Sequence, residues 1–152
     1  MLAPSVPLAR APVASARGAR AVCRAARATG VTKADLAAND KRRAVVELDG
    51  LGPILLQEFA GDVYAVSNKC PHLGLSMQGK TPLLSATVAN GNVTCPAHGS
   101  AFDLKTGAPV GEWCPSLPSL PVVGKKYCGD AKSIATYAVI VDEATGAISV
   151  DA

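Results

Sequence analysis

Histidine is nearly absent from this 152-residue chain, which has only two. Any chemistry that requires three or more imidazoles is therefore excluded. Aromatic residues make up 4% of the chain, so the core has to be aliphatic, drawn from a hydrophobic fraction of 49%. No run approaches the roughly 20 consecutive apolar residues of a membrane-spanning helix. No Gly-x-Gly-x-x-Gly follows a strand-like segment, which removes the usual dinucleotide cradle. With 14 Gly and 11 Pro, the chain is too rich in turn-formers for a helical bundle.

Acidic residues are missing altogether from residues 1–34, where Arg10, Arg17, Arg20, Arg24 and Arg27 are spread among Ala, Val and Pro. Residues 1–40 carry five Arg and one Lys against two Asp, a net of +4; residues 41–152 carry nine bases against ten acids, a net of −1. The excess positive charge thus belongs to the N-terminal segment. It is no sign of a nucleic-acid surface on the body of the protein. A secretory signal needs a continuous apolar stretch, and none is present. Acid-free, Arg-rich composition is instead the mark of an organelle transit peptide. We read residues 1–34 as that address, 35–41 as a linker and 42–152 as the functional domain. The segment resembles the Ala/Arg-rich chloroplast transit peptides of green algae. Ala21-Val22-Cys23-Arg24-Ala25-Ala26 is similar to a plastid processing site, which leaves Cys23 without a functional role. The expected location is the chloroplast, with the mitochondrion as the competing address.

The remaining cysteines are Cys70, Cys95, Cys114 and Cys128, and each histidine follows a cysteine closely. One site reads Cys70-Pro71-His72-Leu73-Gly74 and the other Cys95-Pro96-Ala97-His98-Gly99-Ser100. Two thiolates and two imidazoles complete a metal's inner coordination. Tetrahedral zinc is one reading of the four; a [2Fe–2S] cluster with Cys₂ on one iron and His₂ on the other is the second. A short zinc finger places a His pair on a helix. Here each half-site mixes one Cys and one His on a Pro/Gly loop, and two such opposed loops suit a two-metal cluster.

The two boxes resemble the cluster-binding boxes of the Rieske iron–sulfur family, and Ala101-Phe102-Asp103-Leu104-Lys105-Thr106-Gly107 resembles that family's strand and turn after the second box. The likeness spans roughly residues 42–150. The long gap between Leu73 and Thr94, with Gln78-Gly79-Lys80-Thr81-Pro82-Leu83-Leu84, is similar to that of the soluble Rieske ferredoxins of cyanobacteria and plastids. The resemblance implies that Cys70 and Cys95 hold an inner iron and His72 and His98 an outer, solvent-facing one. It also implies that Ser100 donates a hydrogen bond to a cluster sulfide, and that the proline-rich run from Cys114 to Pro121 shields the cluster. Where the family often has a second hydroxyl, on a Tyr, this chain has Phe102.

Quinol-oxidising Rieske subunits carry an extra cysteine in each box; Leu75 and Ala97 stand in those places, so their disulfide is not possible. Rieske oxygenases need a mononuclear iron held by two further His, and none remain. A one-electron carrier is what the resemblance implies: not an enzyme, working with redox partner proteins in the plastid. The alternative is a thylakoid-associated accessory or assembly protein of photosynthetic complexes, bound peripherally, whose cluster is structural or redox-sensing. Two thiolates and two neutral imidazoles make the site neutral when oxidised and singly negative when reduced, which raises the potential above that of an all-cysteine cluster.

Turn signals predict strands at Arg43–Leu48, Pro53–Phe59, Val63–Ser67, Val93–Thr94, Ala101–Leu104, Tyr137–Val141 and Ala147–Val150. The expected fold class is all-β: an antiparallel β base with a small cluster-binding subdomain. Gly74 and Gly99 are expected to let backbone N–H groups approach the sulfides. Trp113 is read as packing and Lys125-Lys126 as a solvated loop. Cys114 and Cys128 are open to pairing or to remaining free thiols.

Overall fold

A computed structural model describes residues 25–81, 84–116 and 128–151. Residues 1–24, with Cys23, lie outside that range, as do Pro82 and Leu83 and the run 117–127, with most of the proline-rich segment and Lys125-Lys126. The described elements are β1 (Arg27–Thr32), α1 (Lys33–Ala38), β2 (Arg43–Leu48), β3 (Gly52–Phe59), β4 (Asp62–Ser67), β5 (Thr87–Ala89), β6 (Asn92–Thr94), β7 (Ala101–Asp103), β8 (Pro109–Val110), β9 (Thr136–Val141) and β10 (Ala147–Asp151).

Two antiparallel sheets result. The larger has strand order β1-β10-β9-β4-β3-β2; the smaller is β5-β6-β7-β8. Strands β4 and β9 pair directly, Ala65 with Tyr137 and Val66 with Thr136. Everything between them, including the small sheet, is thus an insertion into the large one. This is the expected all-β base with its subdomain. The seven predicted strands all form, with ends shifted by no more than a residue.

Strand β3 explains how the two parts are joined. Ile54, Leu55 and Leu56 are all fully buried. Successive side chains of a strand point to opposite faces, so a continuous apolar run marks a strand covered on both sides. Ile54 and Leu56 enter a core with Leu36, Val46, Ala65, Ile148 and Val150. Leu55 enters a second core with Val66, Cys70, Met77, Val93, Cys95, Phe102 and Ile134. Strand β4 divides its side chains in the same way, with Ala65 on one face and Val66 on the other. Strands β3 and β4 thus form the wall between base and subdomain.

A second seam ties the insertion down. Gly107 accepts the N–H of Ile134 on its carbonyl at 2.9 Å. Gly107 has φ +73°, and a Cβ there would collide with the Ile134 carbonyl oxygen. Only glycine satisfies both the turn and the approach.

The turn at Gly107 has a near-duplicate. In Asp103–Ala108 and in Asp142–Ala147, the first residue's N–H donates to the sixth residue's carbonyl (2.9 Å in each) and the fifth residue's N–H returns to the first carbonyl (2.8 and 2.7 Å). The fifth residue is a left-handed glycine in both, Gly107 and Gly146. The Asp Oδ1 accepts the N–H groups of the third and fourth residues, Lys105 and Thr106 at 3.0 and 2.7 Å, and Ala144 and Thr145 at 3.0 and 2.7 Å. These bonds favour the carboxylate, so both aspartates titrate below their ordinary value.

The N-terminal boundary requires correction. The leader-and-linker reading of 1–34 and 35–41 does not hold at its inner end, because β1 is an edge strand paired to β10, Arg27 opposite Val150 and Thr32 opposite Ala147. Helix α1 begins with a capping box: the Thr32 hydroxyl accepts the N–H of Asp35 while the Asp35 carboxylate accepts the N–H of Thr32. Its Leu36 is fully buried in the base core. Ala/Arg composition continues from the leader into this strand and helix, which is why composition alone did not separate them.

Truncating Leu36 tests that assignment. Leu36→Ala is expected to lower stability by about 2–5 kcal/mol, the cost of a large-to-small change in a closed core. Denaturant unfolding reads it; a midpoint unchanged from the parent protein would return residues 35–41 to a linker.

Candidate metal centre

The two Cys/His boxes fold as the same six-residue loop just described. Cys70 N–H donates to Leu75 O at 2.8 Å and Gly74 N–H to Cys70 O at 2.8 Å. Cys95 N–H donates to Ser100 O at 2.9 Å and Gly99 N–H to Cys95 O at 3.0 Å. The fifth residue is again a left-handed glycine, φ +73° at Gly74 and +78° at Gly99. The first residue is now a cysteine, and its sulfur takes the place of the aspartate oxygen. Cys70 accepts the N–H of His72, and Cys95 accepts those of Ala97 and His98. Backbone donors aimed at sulfur favour the thiolate, the form in which cysteine binds metal.

These loops face each other. One ligand atom each from Cys70, Cys95 and His98 lies within 4.8 Å of the others, and the same holds for His72, His98 and Cys114. His98 belongs to both groups, so the four expected ligands meet at one place. Cys70 Sγ and His98 Nε2 are 2.9 Å apart. The imidazoles of His72 and His98 stand edge to face, centroids 4.7 Å apart at 82°. The loops thus bring together two sulfurs, buried to 1% exposure, and two ring nitrogens.

The electrostatics suit metal binding. A hydrogen bond from Cys70 to Cys95 lowers the Cys95 thiol and raises that of Cys70, so the pair gives up its first proton readily and holds the second. Burial, then the charge of nearby His72, lowers His98 below its ordinary 6.5. It is therefore neutral at neutral pH, as a ligand has to be. This donor set, thiolates that need a counter-charge beside neutral imidazoles, fits a [2Fe–2S] group with mixed ligation.

In one respect the arrangement departs from expectation. The iron assigned to His72 and His98 is expected to face solvent, but His98 is only 2% exposed while His72 is half-buried. The cover comes from residues 113–116. Trp113 lies over both imidazoles, at 6.0 Å from His72 and 5.8 Å from His98, and over Phe102 at 6.0 Å. Ser116 N–H donates to His98 O at 3.1 Å. Trp113 is therefore packing, as expected, but its partners are the candidate ligands. Cys114 was not read as a site residue. Its one signal was the Cys-Pro dipeptide, which Cys114-Pro115 shares with both boxes.

Ser100 is buried within the site, 1% exposed. Its Oγ accepts the Cys114 N–H at 2.7 Å and lies 2.9 Å from His98 Nδ1. The hydroxyl lies inside the site and links the second loop to the covering segment.

The comparisons with known proteins agree with this geometry. Residues 29–124 match the Rieske [2Fe-2S] domain family. The chain belongs to that family, whose domain binds a [2Fe–2S] cluster. It is 40% identical over 62 residues to apoptosis-inducing factor 3 of Mus musculus and of Homo sapiens, covering 41% of this chain and 9% of each relative. The matched region is thus under a tenth of those proteins. Among solved structures, the ferredoxin of carbazole 1,9a-dioxygenase from Nocardioides aromaticivorans IC177 superposes with TM-score 0.57 at 23% identity, over 83% of this chain and 96% of that one. The Sphingomonas yanoikuyae B1 ferredoxin gives TM-score 0.54 at 20% identity, over 77% and 92%. These likenesses establish the fold.

The two loop glycines separate turn geometry from packing. A Cβ at Gly74 meets nothing within 4 Å, whereas one at Gly99 collides with the Ser116 side chain and lies 3.1 Å from Pro115 Cγ. Gly74→Ala is expected to cost only the left-handed backbone, roughly 1–2 kcal/mol. Gly99→Ala adds displacement of the cover and should lose iron during purification. Iron per chain in the two variants measures this; equal iron contents would mean that the cover does not depend on Gly99.

Proposed function

We propose that this chain is a small Rieske-type ferredoxin, a one-electron carrier of the chloroplast with no substrate site of its own. The observation that carries this reading is the convergence of Cys70, Cys95, His72 and His98 on two facing loops. Cys70 and Cys95 would hold one iron, His72 and His98 the other. When bound, the cluster supplies a centre that accepts and returns one electron.

The chain's own residues do the rest. Loop N–H groups offset the thiolate charge at Cys70 and Cys95. Burial of both sulfurs excludes water from that end. His72, the less buried imidazole, offers a surface edge toward a redox partner protein. The near-complete span of a solved ferredoxin's chain, 96%, supports a domain of carrier size. No helix of the described residues is long and apolar enough to cross a membrane.

The test of function combines metal content with potential. Purified protein is expected to contain iron and acid-labile sulfide in equal amounts and to show a Rieske-type EPR signal on one-electron reduction. A hydrogen bond to a charged group contributes roughly 1.5–3 kcal/mol. At about 59 mV per 1.4 kcal/mol for one electron, Ser100→Ala should lower the potential by roughly 60–130 mV. Stoichiometric zinc without iron would overturn the carrier reading. An unchanged potential in Ser100→Ala would remove the hydroxyl from the tuning role.

The chloroplast assignment rests on the acid-free, Arg-rich start of the chain. Because β1 begins at Arg27, processing is expected at or before that residue. Residues 1–26 fused to a fluorescent protein should enter chloroplasts; fluorescence in mitochondria or cytosol would refute it. Fractionation into stroma and thylakoid then separates a free carrier from the membrane-associated accessory role.

A further inference from the structure

Four thiols lie among the described residues, and two of them, Cys70 and Cys95, belong to the candidate centre. Cys114 and Cys128 do not. We propose that Cys114 and Cys128 form a reversible disulfide that fastens residues 113–116 over the second cluster loop.

Two observations bring these residues near one another, and a third concerns the backbone that presents Cys114. The Cys128 side chain lies close enough to the Cys114 thiol to perturb it. A separate contact joins the same two stretches of backbone: the Trp113 indole N–H donates to the Cys128 carbonyl at 2.9 Å. Cys114 also occupies the left-handed region, φ +55°, which is uncommon for a residue with a Cβ. Its N–H is held there by Ser100 Oγ. The thiols also differ in access, since Cys114 is buried and Cys128 half-buried.

The chemistry balances with a disulfide as oxidant, either a small molecule or a protein. The more accessible Cys128, as thiolate, attacks that disulfide and releases one thiol. Cys114 sulfur then attacks the mixed disulfide, the Cys114–Cys128 bond forms and the second thiol leaves. Two cysteines lose two protons and two electrons, all of which end on the departing thiols. No electron passes through the one-electron centre.

The bond has two effects on the site. It pins Trp113 across His72 and His98. It also withdraws a competing ligand, because Cys114 sulfur lies within 4.8 Å of the His72 and His98 nitrogens and a disulfide sulfur no longer binds iron as thiolate does. Formation of the bond needs only the two thiols; its effect on the cluster rests on the function proposed above.

The experiment uses the full cluster-loaded chain with glutathione disulfide as probe. After acid quenching and alkylation, peptide mapping should find Cys114 linked to Cys128, and dithiothreitol should reverse the link. With excess chelator, the cluster's visible absorbance should persist roughly tenfold longer in the oxidised protein than in the reduced one, a modest share of what a loop-closing disulfide contributes. Cys128→Ser should behave as the reduced protein under both conditions, and Cys114→Ser is the second variant. A stable glutathione adduct on Cys128 with Cys114 free, or a bond from either residue to Cys23, overturns the proposal. Equal cluster lifetimes in the two redox states overturn its protective role. Iron and sulfide content is read separately: its failure would remove the carrier function while peptide mapping still decides the disulfide.

Discussion

In a six-residue loop whose fifth residue is a left-handed glycine, backbone N–H groups converge on the side chain of the first residue. Among the described residues there are four such loops, beginning at Cys70, Cys95, Asp103 and Asp142. The requirement is electrostatic. Donors without a carbonyl partner need an acceptor, and a carboxylate or a thiolate at position one supplies it. Where that residue is Asp, the loop is an ordinary hairpin turn. Where it is Cys, the same turn aims backbone N–H at sulfur, which by itself favours the thiolate; the net shift is downward at Cys95, while at Cys70 the bond to Cys95 and burial outweigh it. The candidate centre is thus a structural turn with one substituted atom type, used twice, face to face.

Holding two such loops opposite each other falls to strands β3 and β4. Their alternating side chains anchor one core in the base and another in the subdomain, and Cys70 and Cys95 are themselves members of the second core. The seam at Gly107 and Ile134 adds a backbone contact. Apolar packing and loop geometry therefore hold the candidate ligand atoms facing one another.

Much of this was legible in the residues. Turn signals such as Asp49-Gly50 and Gly61-Asp62 flank β-branched and aliphatic runs, and the strands between them form. The boxes were legible because Cys and His at such spacing have few other reasons to occur together. The start of the fold was not: Arg27-Ala28-Thr29-Gly30 continues the composition of the preceding segment, and pairing to β10 across the whole domain leaves no local trace. The capping box at Thr32 and Asp35 was a readable helix signal that composition masked. The cover over His98 was hidden for another reason. It depends on Cys114 adopting a left-handed conformation and on Ser116 meeting a glycine in another loop, and neither follows from periodicity or spacing.

The unequal exposure of the two imidazoles bears on traffic through the site. With His98 sealed beneath Trp113 and Ser116, only His72 presents an edge toward the surface. A centre with a single doorway cannot be read by donor and acceptor together, because both need the same ground. A carrier of the kind proposed above would hand over its electron by letting go of one partner before meeting the next, so its turnover would depend on how quickly each complex comes apart. Brief, weakly held encounters then serve it better than tight ones.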